Sequence, residues 1–475
     1  MWDEYHPSHH SGCEIDLRKL IGVQISSPYV PTLTKEIEES VSSNIDIHYL
    51  FESSTERTAS NMNHSRRDIA TLFTTSIIRL FAYGFLSVVL ALYLAEIGLT
   101  EQEIGLLFTL TLLGDAGVSL WITTRADRMG RRSMLIVGAS LMIFSGIIFA
   151  LTANRVLLIA AAIIGVISPS GKEIGPFLSI EQAALSQLLP NERRTQVFAW
   201  YNVAGSFAGA IGALTGGMIA QRLQLNGFTA AASYRALVFG YASCGVVMTI
   251  LFLRLSSAIE VSRASLPPFV RASFGLHRSK IVVMKLSALF GLDAFAGGFI
   301  VQSMIAYWFF LKFHVSVDVL GGIFFGTNII AGLSALFAVR VAKRIGLVNT
   351  MVFTHLPSNI LLCLVPLMPT LPWAIGMLLL RFSISQMDVP TRQSYTMAVV
   401  SEDERSAASG VTTIARSLGA SISPALTGVF LGNPALLGLP FFLAGGLKIV
   451  YDVLIYSGFR RLKPPEESIE DVRTK

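Results

Sequence analysis

An all-α membrane protein of twelve transmembrane helices, in two pseudo-symmetric six-helix bundles, is the fold class that the sequence predicts. Three observations predict it: the composition, the succession of apolar runs and an internal repeat. Hydrophobic residues make up 52% of the chain and charged residues 14%, with a mean hydropathy of +0.59. Soluble domains carry about a quarter charged residues, so the chain is polytopic. A net charge of +6 and a pI near 9.2 do not point to nucleic acid. The basic residues lie in short groups between apolar runs instead of along one face, which is the positive-inside bias of membrane proteins.

Residues 1–66 are polar, are interrupted by Pro7, Pro28 and Pro31, and lack a basic segment followed by an apolar one. They read as a disordered cytoplasmic tail, not a signal peptide. His6, His9, His10 and Cys13 lack the spacing of a structural zinc site, and the Asn63-His64-Ser65 sequon falls on the cytoplasmic side, so neither is assigned a role. Cys13, Cys244 and Cys363 suggest neither a disulfide framework nor a metal centre. No cofactor is expected.

From Ile69 the apolar runs follow at 69–95, 104–124, 133–152, 155–189, 195–221 and 234–256, then at 281–311, 318–340, 346–368, 372–401, 406–431 and 438–460. Most are long enough to cross a hydrocarbon core of about 30 Å, and they are named spans 1 to 12 below. This divides the chain into an N-terminal bundle over 67–256, a cytoplasmic central loop over 257–280, a C-terminal bundle over 281–460 and a cytoplasmic tail over 461–475. Arg66, Arg67, Arg263, Arg271, Lys343, Arg344, Arg460 and Arg461 join the loop arginines on one side, while Arg155, Arg222, Arg235 and Lys312 lie on the other. Both termini are therefore expected in the cytoplasm, and the plasma membrane is the expected location.

Span 4 is too long to be one helix. From Arg155 to Arg193 is 38 residues, which at about 1.5 Å per residue would run to roughly 57 Å. The stretch Ser168-Pro169-Ser170-Gly171-Lys172-Glu173-Ile174-Gly175-Pro176 is expected to break it. Two readings stand: a break lining a binding site, and a helix that protrudes beyond the membrane.

The repeat supports the count independently. Arg79, Gly84 and Tyr93 in span 1 correspond to Asp293, Gly298 and Tyr307 in span 7 at a constant separation of 214 residues. Arg128 and Gly130 correspond to Arg344 and Gly346 at 216, and Arg193 and Gly216 to Arg405 and Gly428 at 212. Drifts of this size are what changed loop lengths produce.

Between spans 2 and 3 lies Asp127-Arg128-Met129-Gly130-Arg131-Arg132. This pattern at this place resembles the loop signature of the major facilitator superfamily, although the glycine expected four residues before the aspartate is Thr123. The resemblance covers about 69–460 and implies two parallel six-span halves with solute bound between them near the midplane. It also implies a gating loop, in which Asp127 caps the start of span 11 and pairs with Arg193 or Arg194. The acid's place in the second half holds Lys343, so only one such latch is complete. Span 5 reads Ala208-x3-Gly212-Ala213-x2-Gly216-Gly217, which weakly resembles the signature of the drug:proton antiporter branch, departing at Ala208 and Ala213. The arginine that efflux members carry in span 4 would fall at Ala161 and is absent.

Ionisable side chains within spans cost roughly 2.5–3.5 kcal/mol each at a helix centre unless paired or wet. The chain has Arg79 in span 1, Asp115 in span 2, Lys172, Glu173 and Glu181 in span 4 and Asp293 in span 7. Arg381, Asp388 and Arg392 lie in span 10, Arg416 in span 11, and Lys448 with Asp452 in span 12. In the family that the chain resembles, spans 1, 4, 7 and 10 line the cavity. Arg79 and Asp293 occupy equivalent places with opposite charge and are expected to approach across that cavity. Glu181, about 18 Å from the cytoplasmic helix end, is placed as a proton carrier should be. The pathway set is Arg79, Asp115, Lys172, Glu173, Glu181, Asp293, Asp388, Arg392 and Arg416. For Arg79, Glu181, Asp293 and Arg392 a purely structural role, as buried pairs locking helix to helix, stands beside the functional one. Arg416 either holds an anionic group or satisfies Asp388. Lys448 and Asp452, spaced i, i+4, read as a structural pair on one helix.

These residues predict a secondary transporter of a small polar or organic solute, working by alternating access, coupled to protons and acting as a monomer in the lipid bilayer. An uncoupled facilitator and a solute-binding sensor are the alternatives; tails this short favour transport over sensing. An enzyme is disfavoured, since no nucleophile–base set, nucleotide loop or metal cluster stands out.

Overall fold

The computed structural model describes residues 47–172, 175–261, 277–401, 404–460 and 462, with side chains from residue 65 onward except at 191–193, 195 and 406. The chain divides into units 1–63 and 64–475, and the spans lie in the second. The tail histidines, Cys13 and Glu173 lie outside the described residues.

Among the described residues, ten helices are long and apolar enough to cross a membrane. Spans 4 and 10, each built from two shorter helices, complete twelve. Span 4 is helical over Arg155–Ile164 and Phe177–Leu188, with the irregular stretch between them where the paired prolines and glycines lie. Gly171 and Gly175 adopt φ of +64° and +87° there, which suits residues without a side chain.

Of three further breaks, only that in span 7 has a local mark, the pair Gly297-Gly298; those in spans 1 and 10 have none. Span 1 is helical over Ser65–Ser87 and Leu90–Glu96, span 7 over Lys280–Gly298 and Gln302–Phe313, and span 10 over Leu371–Ser385 and Asp388–Ala398. Spans 1, 4, 7 and 10 are thus all interrupted. At the breaks in spans 4 and 7, freed backbone finds protein partners, as a low-dielectric setting requires. The Gly175 N–H donates to Asp115 Oδ2 at 3.1 Å, and the Ser303 N–H donates to the Pro169 carbonyl at 3.0 Å.

The halves meet along span 2 (Glu101–Met129) against span 11 (Arg405–Leu431) and span 5 (Asn191–Leu225) against span 8 (Val317–Ile345). Glycine permits both approaches: a Cβ on Gly105 would stand 2.4 Å from the Pro424 carbonyl oxygen, and one on Gly217 2.5 Å from that of Val317. Other joins lie at the same level. Gln302 Nε2 donates to Ser87 Oγ at 2.8 Å, Ser303 Oγ to the Ser87 carbonyl at 2.7 Å, and the Tyr307 hydroxyl to Glu101 Oε1 at 2.9 Å. These contacts join the halves toward the end opposite the Asp127–Arg132 loop, since Glu101 opens span 2 and Met129 closes it. Large apolar side chains such as Ile147, Leu253, Phe337 and Ile360 point outward, as a lipid solvent allows.

Candidate functional site

The fold brings a polar cavity of about 210 Å³ between the halves. It lies below the usual range of ligand pockets, about 300–1,000 Å³, and so has room only for a small solute. The break in span 4 contributes Ser170 and Lys172, and span 7 contributes Asp293, Gly297 and Gln302. Span 8 adds Asn328 and span 9 His355, while span 10 adds Arg381, Gln386, Asp388 and Arg392; Arg416 and Lys448 complete the charged wall. Five cations thus face two carboxylates.

Asp293 is the hub of the second half. Arg392 Nη1 reaches its Oδ2 at 2.9 Å, Arg416 Nη1 approaches the same oxygen at 3.5 Å, and Lys448 Nζ donates to Oδ1. Arg392 also meets Asp388 Oδ2 at 3.2 Å, one turn away on its own helix. Arg416 therefore turns to Asp293, and Asp388 is held by Arg392. Behind this cluster, His355 stands with Nε2 3.9 Å from Asp293 Oδ1 and Nδ1 2.8 Å from Asp452 Oδ1, while Asn359 Nδ2 donates to Asp452 Oδ2 at 2.9 Å. Lys448 and Asp452 do not form the helical pair that their spacing suggests. One faces span 7 and the other span 9, because tertiary partners outcompete an i, i+4 contact worth about 0.5 kcal/mol.

The first half holds a second, separate cluster. Arg79 grips Glu181 with two parallel bonds, Nη1 to Oε1 at 2.8 Å and Nη2 to Oε2 at 2.7 Å, and neither residue is exposed. Thr75 donates to Oε1 at 3.2 Å, Tyr201 donates to Oε2, and the guanidinium lies 4.7 Å over the Phe177 ring. The expected approach of Arg79 to Asp293 across the cavity does not occur. Each takes a counter-charge from its own half, where a neighbouring helix offers one at bonding distance. Asp115, expected on the pathway, accepts from the span 4 break.

The profile of the Major Facilitator Superfamily matches residues 72–469. The chain belongs to that superfamily. It is 31% identical to the uncharacterized membrane protein YJR124C of Saccharomyces cerevisiae over 418 residues, which covers 82% of this chain and 93% of the relative. Among solved structures, it is similar in fold to the nucleoside transporter NupG, with a TM-score of 0.64 at 13% identity, covering 82% of this chain and 98% of that one. A D-xylose–proton symporter gives 0.65 at 16%, covering 82% and 97%. A bacterial homologue of the human lysosomal transporter Spinster gives 0.62 at 14%, covering 82% and 95%. The chain is accordingly a membrane transporter of the Major Facilitator Superfamily.

The superfamily's loop signature is knitted into its own half. Asp127 Oδ1 meets Arg131 Nε at 2.8 Å, one turn along, and does not cap span 11 in this conformation. Arg194 Nε donates to the Leu189 carbonyl at 3.3 Å, and the Arg193 side chain lies outside the described residues. Gly130, at φ +98°, lets span 3 start at once after span 2. The Glu260 carboxylate accepts from the Arg131 and Arg132 N–H groups at 2.7 and 3.1 Å, where the helix dipole favours a negative charge. Arg132 also donates to the Leu253 carbonyl at 2.5 Å, while Arg128 lies in the last turn of the span 2 helix. The antiporter-like glycines serve packing: a Cβ on Gly212 or Gly216 would strike the carbonyls of Phe81 or Phe85 in span 1 at 2.1 and 2.4 Å.

His355 is the cavity residue that reading the sequence passed over. Its signal was a histidine within the apolar span 9, which becomes informative only once Asp293 and Asp452 flank it. Gln302 and Asn328 are similar: lone amides in apolar runs, brought together at 3.4 Å by the fold.

Proposed function

We propose that this chain is a secondary active transporter of a small polar solute, working by alternating access and coupled to protons through Asp293. The observation that carries the proposal is that Asp293, buried in the middle of span 7, lines the cavity between the halves while bonded to cations from spans 10, 11 and 12. A carboxylate so placed exchanges partners when it takes up a proton, which releases Arg392 and Lys448 and repacks span 7 against spans 10 and 12. Glu181 is the weaker candidate, since it has no exposure and four donors already hold it.

Closure of the halves on one face is one end state of a rocking cycle. The arginine-rich loops favour the cytoplasm for the other face, with both termini there. Among structures of this fold, the D-xylose–proton symporter couples cargo to protons, and NupG carries nucleosides; both cargoes are polar and organic. The test is solute-dependent proton flux in vesicles reconstituted with the full chain. Asp293→Asn is expected to abolish coupled flux. Coupled flux that survives in Asp293→Asn but vanishes in a folded Glu181→Gln variant would move the carrier to the first half.

A further inference from the structure

Within the cavity, the cations are not equally engaged. Arg392 and Lys448 bond to Asp293 and Asp388, and Arg416 approaches Asp293. Arg381 is different. It is 6% exposed, and among the described residues its Nε has no hydrogen-bond partner and no carboxylate stands within ion-pair distance of it. Asp388 and Asp293 are near enough to be felt, yet both are held by other cations. Its guanidinium rests 4.7 Å from the Phe382 ring, a contact that fixes its plane without neutralising it. Lys172, from the span 4 break in the other half, opens to the same cavity, again with no carboxylate partner among the described residues.

A buried guanidinium left without a counter-ion is expensive and is retained where something else supplies the charge. We infer that the cargo is a small oxyanion, a carboxylate or phosphate on a short organic body, received by Arg381 of one half and Lys172 of the other. This deepens the transporter reading and rests on it. The planar fork of arginine matches two oxygens of such a group, and Lys172 adds a point charge from across the cavity. Gln302 and Asn328 offer amides to the cargo's neutral polar groups, and 210 Å³ limits its body to a few carbon atoms. Because the two cations belong to different halves, an anion bound between them favours the arrangement in which the halves approach. That differential affinity is what a cargo must have to drive alternation.

The test is thermal unfolding of the purified full chain with a panel of probes. Pyruvate and malate represent carboxylates, inorganic phosphate and glycerol 3-phosphate represent phosphates, and glycerol, glucose and choline serve as uncharged and cationic controls. At least one anion is expected to raise the melting temperature by about 2–4 °C when well above its Kd, and the responding arm names the oxyanion. Arg381→Gln and Lys172→Gln are expected to remove that rise. Arg381→Gln should also leave the unliganded melting temperature unchanged or higher, because it removes an uncompensated charge; a merely structural arginine would lower it. Stabilisation by an uncharged or cationic probe alone, by no probe, or by an anion equally in wild type and Arg381→Gln overturns the proposal. The transporter reading is judged separately, by counterflow of the stabilising probe in vesicles. An anion that binds through Arg381 but does not cross leaves the site standing and removes transport, while an uncharged probe that crosses does the reverse.

Discussion

The two halves of the molecule carry nearly the same ion pair with its charges exchanged. In the first half an arginine on span 1 holds an acid on span 4; in the second an acid on span 7 is held by an arginine on span 10. Arg79 and Asp293 are related by the repeat, and Arg392 lies one residue from the counterpart of Glu181. The surroundings differ. Arg79 and Glu181 balance one another, face to face, with two hydroxyls completing the carboxylate and no exposure. Asp293 faces three cations and a histidine beside a cavity. The pair is thus enclosed and self-balanced in one copy and surrounded by competing partners in the other, which under the proposed function makes the first a lock and the second an exchangeable contact.

The largest effect that would test this contrast is expected from Arg79→Gln. Removing one partner of a buried pair should cost about 3–5 kcal/mol, read by unfolding of the purified protein. Replacing both members, Arg79→Leu with Glu181→Leu, should recover most of that loss. If the single replacement is harmless, the first-half pair is not a lock.

Next comes Gly217→Leu, which forces a side chain against the Val317 carbonyl and the Gly321 Cα where spans 5 and 8 touch. Overpacking there should destabilise the closed face by about 1–3 kcal/mol. A cysteine introduced at the buried Ser87 should then react faster with a membrane-impermeant thiol reagent. Unchanged labelling would mean that this contact does not hold the halves together.

A smaller loss, about 1 kcal/mol or less, is expected from Lys448→Met, since Arg392 and Arg416 still serve Asp293 and the excess of positive charge is reduced. A loss as large as that of Arg79→Gln would erase the distinction between the clusters.

The smallest effect concerns the loop side of the second half. Glu404 accepts from the backbone N–H of His277, and also from Ser279 and Arg278. The His277 contact leads these in holding its carboxyl at about 2, below the usual glutamate range. A carboxyl lowered on folding contributes stability that is complete above its ordinary value of about 4.3 and is lost as pH falls toward 2. The melting temperature of Glu404→Gln should therefore fall less than that of wild type between about pH 5 and pH 2. Parallel curves would mean that this carboxylate does not anchor the loop.

Much of the architecture is legible along the chain. Apolar length and the distribution of Lys and Arg are local properties that decide which segments enter a bilayer, and a repeat survives in spacing even where the residues diverge. The span 4 break is equally local, since Pro169, Gly171, Gly175 and Pro176 refuse a continuous helix. The span 10 break at Gln386 and Met387 carries no comparable mark; Pro390 sits in the first turn of the next helix, where proline is tolerated. The break in span 7 leads into Ser303, whose amide bonds to Pro169 of the other half, a partner distant in sequence.

From the sequence alone came the twelve crossings, the duplication, the interrupted fourth span and the inventory of charges placed in the membrane. Their pairing was decided only in three dimensions: Arg79 with Glu181 instead of toward Asp293, Lys448 and Asp452 with separate helices instead of each other, and Arg381 with no carboxylate among the described residues. The physical reason is that transfer into a membrane depends on a segment's own residues. The partner that a buried charge takes depends on which opposite charge the packed helices bring within about 3 Å.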